Sequence, residues 1–184
     1  MEFAEFKSMI LSKLKETSPC TEGYVEFKNA QTYFDLSIIV RSAFEWCVEQ
    51  GLITTEIIHN HCTDCNKANI FSNQNVKNGF CLVDDNNEIM AEGHSFVIAL
   101  GSSVVSAFDT CYVIAFDNAK IVAHDDTIVK ARGNSKVDAF DFTTVHAQEN
   151  SSVNGFAHSY TIVGPNAKYK NFEDALHINK NEEN

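Results

Sequence analysis

Proline is almost absent: Pro19 and Pro165 are the only two in 184 residues. That excludes a Pro-rich linker or polyproline segment. Basic residues are scarce too, with 14 Lys and Arg against 25 Asp and Glu, for a formal net charge of −11. The acidity is spread along the chain rather than gathered in one block. Nonspecific nucleic-acid binding needs a basic surface, so this balance speaks against direct binding to DNA or RNA. No apolar run approaches the roughly 18 residues of a membrane span. The opening residues, Met1-Glu2-Phe3-Ala4-Glu5, carry no basic segment ahead of an apolar stretch. They predict no secretory leader and a cytoplasmic protein. In a reducing compartment the six cysteines, at positions 20, 47, 62, 65, 81 and 111, are expected as thiols or metal ligands.

What the chain does have is a repeat. A small residue recurs every eighth position: Ala91, Ala99, Ala107, Ala115, Ala123, Ala131, Ala139, Ala147, then Gly155. Six residues after each alanine stands a β-branched aliphatic: Val97, Val105, Val113, Ile121, Val129, Val137, Val145, Val153. A fixed short period predicts a solenoid, in which each unit buries its apolar side against the next. With the alanine as position 1, positions 6, 7, 8, 1 and 2 read as a five-residue strand of alternating direction. Positions 3 and 4 are mostly Gly, Asp or Asn, which tolerate tight turns. Position 5 is small throughout and is expected to face inward at the corner.

The outward positions set the coil. At position 6, Phe96, Tyr112, Ile128, Thr144 and Tyr160 alternate with Val104, Lys120, Lys136, Ser152 and Lys168. Position 8 alternates in the same way. Recurrence at twice the octapeptide period means two strands per coil and a flattened solenoid of two sheets. About five coils at roughly 4.8 Å each are expected. A triangular coil built from three octapeptides would mix the two sets and ranks second.

The fold class is therefore α+β: a small N-terminal helical domain, then the flattened two-sheet β-solenoid of octapeptide repeats, with about 16 residues per coil. Residues 1–60 read as helical. Phe3, Phe6, Ile10 and Leu14 mark a helix over 3–15. Ser18-Pro19-Cys20 reads as a break before a short helix through Phe27. A third helix covers 36–50 with Gly51 as its stop, and Thr54 or Thr55 caps a last one ending near His59. Residues 61–78 read as a Cys/His-containing loop, 79–172 as the solenoid, and 173–184 as an acidic, disordered tail.

Two sets of residues draw attention as an interface. One sheet is apolar on its outer face as well, through Phe96, Ile98, Leu100, Tyr112, Ile114 and Phe116. An outward apolar sheet should be covered by helices, by a second copy of the chain or by a partner. The other sheet carries the row Lys120, Lys136 and Lys168, and an edge row of Phe108, His124, Phe140, Phe156 and Phe172.

Candidate chemistry centres on His59-x-His61-Cys62-x-x-Cys65, with Cys81 further on. Thiolates and imidazoles of this kind are the ligands of a tetrahedral structural zinc. A second Cys-x-x-Cys is missing, and Cys81 falls at an inward strand position, so free loop thiols and one core thiol are the alternative. A redox role for Cys62 and Cys65 lacks a surrounding βαβ unit. Asp109, Asp117, Asp125 and Asp141 share one turn position, as calcium ligands do in β-rolls. The glycine motif of those repeats is absent. No phosphate-binding glycine loop, nucleophile elbow or histidine at triad spacing occurs. The six-residue period of solenoid acyltransferases is absent too.

The array resembles the alanine–valine octapeptide repeats of uncharacterised phage and prophage proteins from Bacteroidetes. Ala115–Val122 and Ala131–Asp138 carry that resemblance, and Cys62-Thr63-Asp64-Cys65 and Asn78-Gly79-Phe80-Cys81 extend it upstream. It implies this architecture and a phage or mobile-element origin, and no particular activity. The leading expectation is a nonenzymatic interaction protein of that origin, an inhibitor of host defence comparable to anti-CRISPR proteins. The expected partners are a second copy of the chain and a host defence protein or ribonucleoprotein. The alternatives are a self-assembling structural protein and a zinc-dependent enzyme at the Cys/His loop.

Overall fold

The structure, a computed structural model, describes residues 3–17 and 21–179. The expected break at Ser18-Pro19-Cys20 and the last five residues of the tail lie outside the described residues. The chain forms two units, Met1–Ser72 and Asn73–Asn184.

The first unit holds helices α1 (Phe3–Glu16), α2 (Thr21–Asn29), α3 (Tyr33–Glu49), α4 (Thr55–Asn60) and α5 (Cys62–Lys67), and a short strand β1 (Ile70–Ser72). Helix α1 buries Phe6, Ile10 and Leu14, the stripe its spacing predicts. Helix α3 starts at a capping box. The Thr32 hydroxyl accepts from the Asp35 N–H at 3.1 Å, and the Asp35 carboxylate accepts from the Thr32 N–H at 2.8 Å. Its backbone kinks at Ala43, where φ is −137° and ψ is 25°. Thr54 caps α4 by accepting from the Ile57 N–H at 3.2 Å. Residues 62–67, expected as loop, are helical. His61 is at once the C-cap of α4 and the N-cap of α5. Six residues make fewer than two turns, too few to write a periodic stripe.

The second unit is the solenoid. Its first strands are β2 (Val76–Lys77), β3 (Phe80–Val83), β4 (Glu88–Glu92), β5 (Phe96–Ala99), β6 (Val104–Ala107), β7 (Tyr112–Ala115) and β8 (Lys120–Ala123). Then follow β9 (Ile128–Ala131), β10 (Lys136–Ala139), β11 (Thr144–Ala147), β12 (Ser152–Gly155), β13 (Tyr160–Val163), β14 (Lys168–Asn171) and β15 (Leu176–Asn179). The odd strands from β3 onward lie in one sheet in chain order, and the even strands lie in the other. From β3 onward each strand pairs in parallel with the strand two octapeptides later. Phe96 pairs with Tyr112, Val97 with Val113, Ile98 with Ile114, and Ala99 with Ala115. The predicted two-sheet coil of roughly 16 residues is what forms, with about six turns rather than five.

Positions 7 and 1 face the core. Val97, Ala99, Val105, Ala107, Val113, Ala115, Val129 and Ala131 are completely buried. From β5 onward the strands span positions 6 to 1, one residue shorter than expected, although the position 2 N–H still bonds to the coil before, as Phe116 does to the Ala99 carbonyl at 2.9 Å. The corner is made at position 3, where Asp109, Asp117, Asp125 and Asp141 have φ between 53° and 59°. Asp is among the few non-glycine residues that enter this left-handed region readily. Gly133 occupies the same position under a tighter limit: a Cβ there would stand 2.8 Å from the backbone nitrogen of Asp117. Where Pro165 takes position 3 its ring fixes φ negative, and the left-handed residue moves on to Asn166, at 65°.

The array does not end near residue 172. Strand β15 continues it, with Tyr160 paired to Leu176 and Ile162 to Ile178, so residues 173–179 of the expected tail are ordered corner and strand. What changes is the core-facing side. The last coil places Tyr169, Asn171, His177 and Asn179 where Val and Ala stood. The Tyr169 and His177 rings lie 3.9 Å apart between centroids, and the Asn171 amide meets the His177 Nδ1 at 2.7 Å. A repeat array needs such a polar end unit to close its core against water.

Candidate functional site

The even sheet carries the lysine row on its outer face. Lys120 and Lys136 are directly paired on β8 and β10. Ser152 follows on β12, and Lys168 on β14. All three lysines are exposed. Four rungs at about 4.8 Å make a stripe roughly 14 Å long. Among the described residues none of these lysines has an ion pair or hydrogen bond. Asp138, on the same face, is engaged elsewhere: its Oδ1 accepts from the Asn154 side-chain amide at 2.7 Å. Lys170 extends the basic stripe on β14 and is also exposed. It was not among the residues expected here, although its place in the position 8 row is legible in the sequence.

The apolar set on the odd sheet divides. Ile98 and Ile114 are completely buried and offer no surface. Phe96, Leu100, Tyr112 and Phe116 are partly exposed. Phe96 packs edge-to-face on Tyr112 at 4.9 Å. Lys130 lies over the Tyr112 ring at 5.5 Å, and Arg132 lies over Phe116 at 5.4 Å. These aromatic faces are thus partly occupied by cations of the same sheet and its corner. Further along, Ile128, Leu176 and Ile178 are exposed.

Two edge rows are structural ladders. Phe108, His124, Phe140, Phe156 and Phe172 stack with centroids 4.7–5.1 Å apart and interplanar angles between 4° and 9°. Beside them runs a carboxylate row with a definite task. Asp109 Oδ2 accepts from the Gly93 N–H at 2.8 Å, Asp125 Oδ2 from the Asp109 N–H at 2.9 Å, and Asp141 Oδ2 from the Asp125 N–H at 3.3 Å. On the opposite edge Asp117 does the same for Gly101, and Glu149 for Gly133. Each acid satisfies a corner N–H one coil back, which accounts for its recurrence at position 3.

The Cys/His region looks different. Cys62 is exposed and Cys65 is buried on α5, while Cys81 is buried in β3. Burial pushes the Cys65 thiol up to about 12 and the Cys81 thiol up to about 11. Zinc binds the thiolate, so both sites start from the less suitable form. His61 packs edge-on against the Phe6 ring at 5.8 Å, and His59 is exposed at the end of α4. Among the described residues no group of three His, Cys, Asp or Glu side chains is placed to share a metal ion. Asp64, between the two cysteines, is buried and accepts from the Tyr33 hydroxyl and from Lys67. The Tyr33 hydrogen bond, helped by Lys67, holds its carboxyl below the ordinary range.

Among the described residues no helix is long and apolar enough to cross a membrane. Comparison with protein-family models, curated proteins and solved structures finds no match to this chain.

Proposed function

We propose that this protein is a nonenzymatic interaction module of phage or mobile-element origin. In this reading it inhibits a host defence system, in the manner of anti-CRISPR proteins, by covering an anionic surface of a defence protein or ribonucleoprotein. The observation that carries the reading is the Lys120–Lys136 pair. Like charges directly opposed across two strands destabilise a sheet. Here neither has a carboxylate partner, in a chain of net charge −11. An anionic partner offsets that repulsion, and the in-register ladder presents the lysines as a rigid row. The octapeptide resemblance supports the biological setting.

A second reading, self-assembly as a structural protein or homodimer, is favoured by Leu176 and Ile178. They are 63% and 51% exposed on β15, the last strand of its sheet. A pull-down from host cytoplasm, with light scattering on the purified protein, separates the two. The inhibitor reading expects a foreign partner that is lost with the Lys120→Glu/Lys136→Glu variant. The assembly reading expects an oligomer that dissociates with Ile178→Asp. A stable monomer that captures nothing contradicts both.

A further inference from the structure

We propose that Cys62 and Cys65 form a thiol–disulfide exchange site, with Cys62 as the entry thiol for a low-molecular-weight disulfide and Cys65 as the resolving thiol. The two stand three residues apart on α5, and so on one helix face. Helix geometry puts their Cα atoms about 5 Å apart, inside the usual disulfide span of roughly 4.4–6.8 Å. Their environments divide the roles. Cys62 is exposed, whereas Cys47, Cys65, Cys81 and Cys111 are buried. Cys65 is completely buried, so a reagent from solvent does not reach it first. Such a reagent therefore meets Cys62, and Cys65 is the next thiol along α5.

The chemistry balances in two exchanges. The Cys62 thiolate attacks one sulfur of a disulfide RS–SR. That bond breaks, a mixed disulfide Cys62–S–S–R forms, and the departing thiolate takes a proton to become RSH. The Cys65 sulfur then attacks the Cys62 Sγ, and its proton passes to the departing thiolate. A second RSH is thereby released. Two protein thiols have become one disulfide, and RS–SR has become two RSH. Cβ atoms three apart on a helix are about 5–6 Å from each other, against roughly 3.5–4.5 Å in a disulfide. Closing the bond must tighten the start of α5, where His61 already leaves helical geometry with ψ at 32°. A bond closed under strain is readily reduced again.

The test uses the reduced full chain, oxidised glutathione as the disulfide, and peptide mapping by mass spectrometry over time. The expected course is a transient glutathione adduct on Cys62, then an internal Cys62–Cys65 disulfide with two glutathione thiols released per chain. Dithiothreitol should return both thiols. Cys65→Ala should stop at the Cys62 adduct, and Cys62→Ser should form no adduct at the pair. If Cys65→Ala does not fold, the wild-type course decides alone. A lasting Cys62 adduct, an unmodified pair, or a disulfide mapped to other cysteines overturns the proposal.

Discussion

The Asp125 carboxylate accepts a 2.9 Å hydrogen bond from the backbone N–H of Asp109, one coil earlier. Asp125 itself sits at φ 56°. One residue thus both makes its own corner and closes the corner before it. Asp125→Ala removes the acceptor and puts an ordinary Cβ in the left-handed region. Each loss is worth about 1 kcal/mol, so the substitution should cost about 2 kcal/mol in urea unfolding. Asp125→Gly loses the hydrogen bond but relieves the backbone, and should cost about half as much.

Thr143 tests the opposite sign. Its hydroxyl is buried without a hydrogen-bond partner at position 5. Ser95 and Ser151, at the same position, donate to the carbonyl three residues back at 2.6 and 2.7 Å. Thr143→Val keeps the shape and removes the stranded hydroxyl. Thermal and urea unfolding should show a gain of about 1 kcal/mol.

Phe140 lies between His124, at 4.8 Å, and Phe156, at 4.7 Å. Phe140→Ala breaks both stacking contacts, each worth about 1 kcal/mol beyond area burial. The expected loss is about 3 kcal/mol, and Phe140→Leu should recover part of it. Full recovery by Leu would show that the ladder contributes buried area and no stacking.

Asp64 gives the helical unit a pH dependence. Its folded carboxyl is held low, first by the Tyr33 hydroxyl and then by Lys67. A depressed carboxyl contributes stability above its unfolded pKa and loses it as pH falls through the folded value. Stability should therefore decline on the acid side of the ordinary carboxylate range. Tyr33→Phe should raise the Asp64 pKa, followed by carboxyl carbon chemical shift, and flatten that acid-side decline.

Much of the solenoid was legible in the residues because parallel, in-register stacking puts each residue over the one two repeats later. The alternation of Phe96 and Tyr112 with Val104 and Lys120 is that geometry written in side chains. The end of the array was not legible. At Tyr169, Asn171, His177 and Asn179 the Val/Ala signal stops, while the backbone ladder runs on. The position 3 acids looked like ligands because their real partners are backbone N–H groups, which leave no mark on a side-chain pattern. Ile98 and Ile114 read as outward and are buried, since strand alternation says which way a side chain points and not what lies there. The lysine row was legible in full, because surface rows of a regular coil follow directly from its period.

The row through Lys120 and Lys136 is proposed to bind an anionic partner. The most direct test of this is the dissociation constant of the captured partner for wild type and for Lys120→Glu/Lys136→Glu, measured by titration calorimetry across a salt series. Both positions are exposed, so the fold should survive the exchange. The variant should bind at least about tenfold more weakly, and the wild-type affinity should fall as salt rises. Equal affinities with no salt dependence would contradict that proposal.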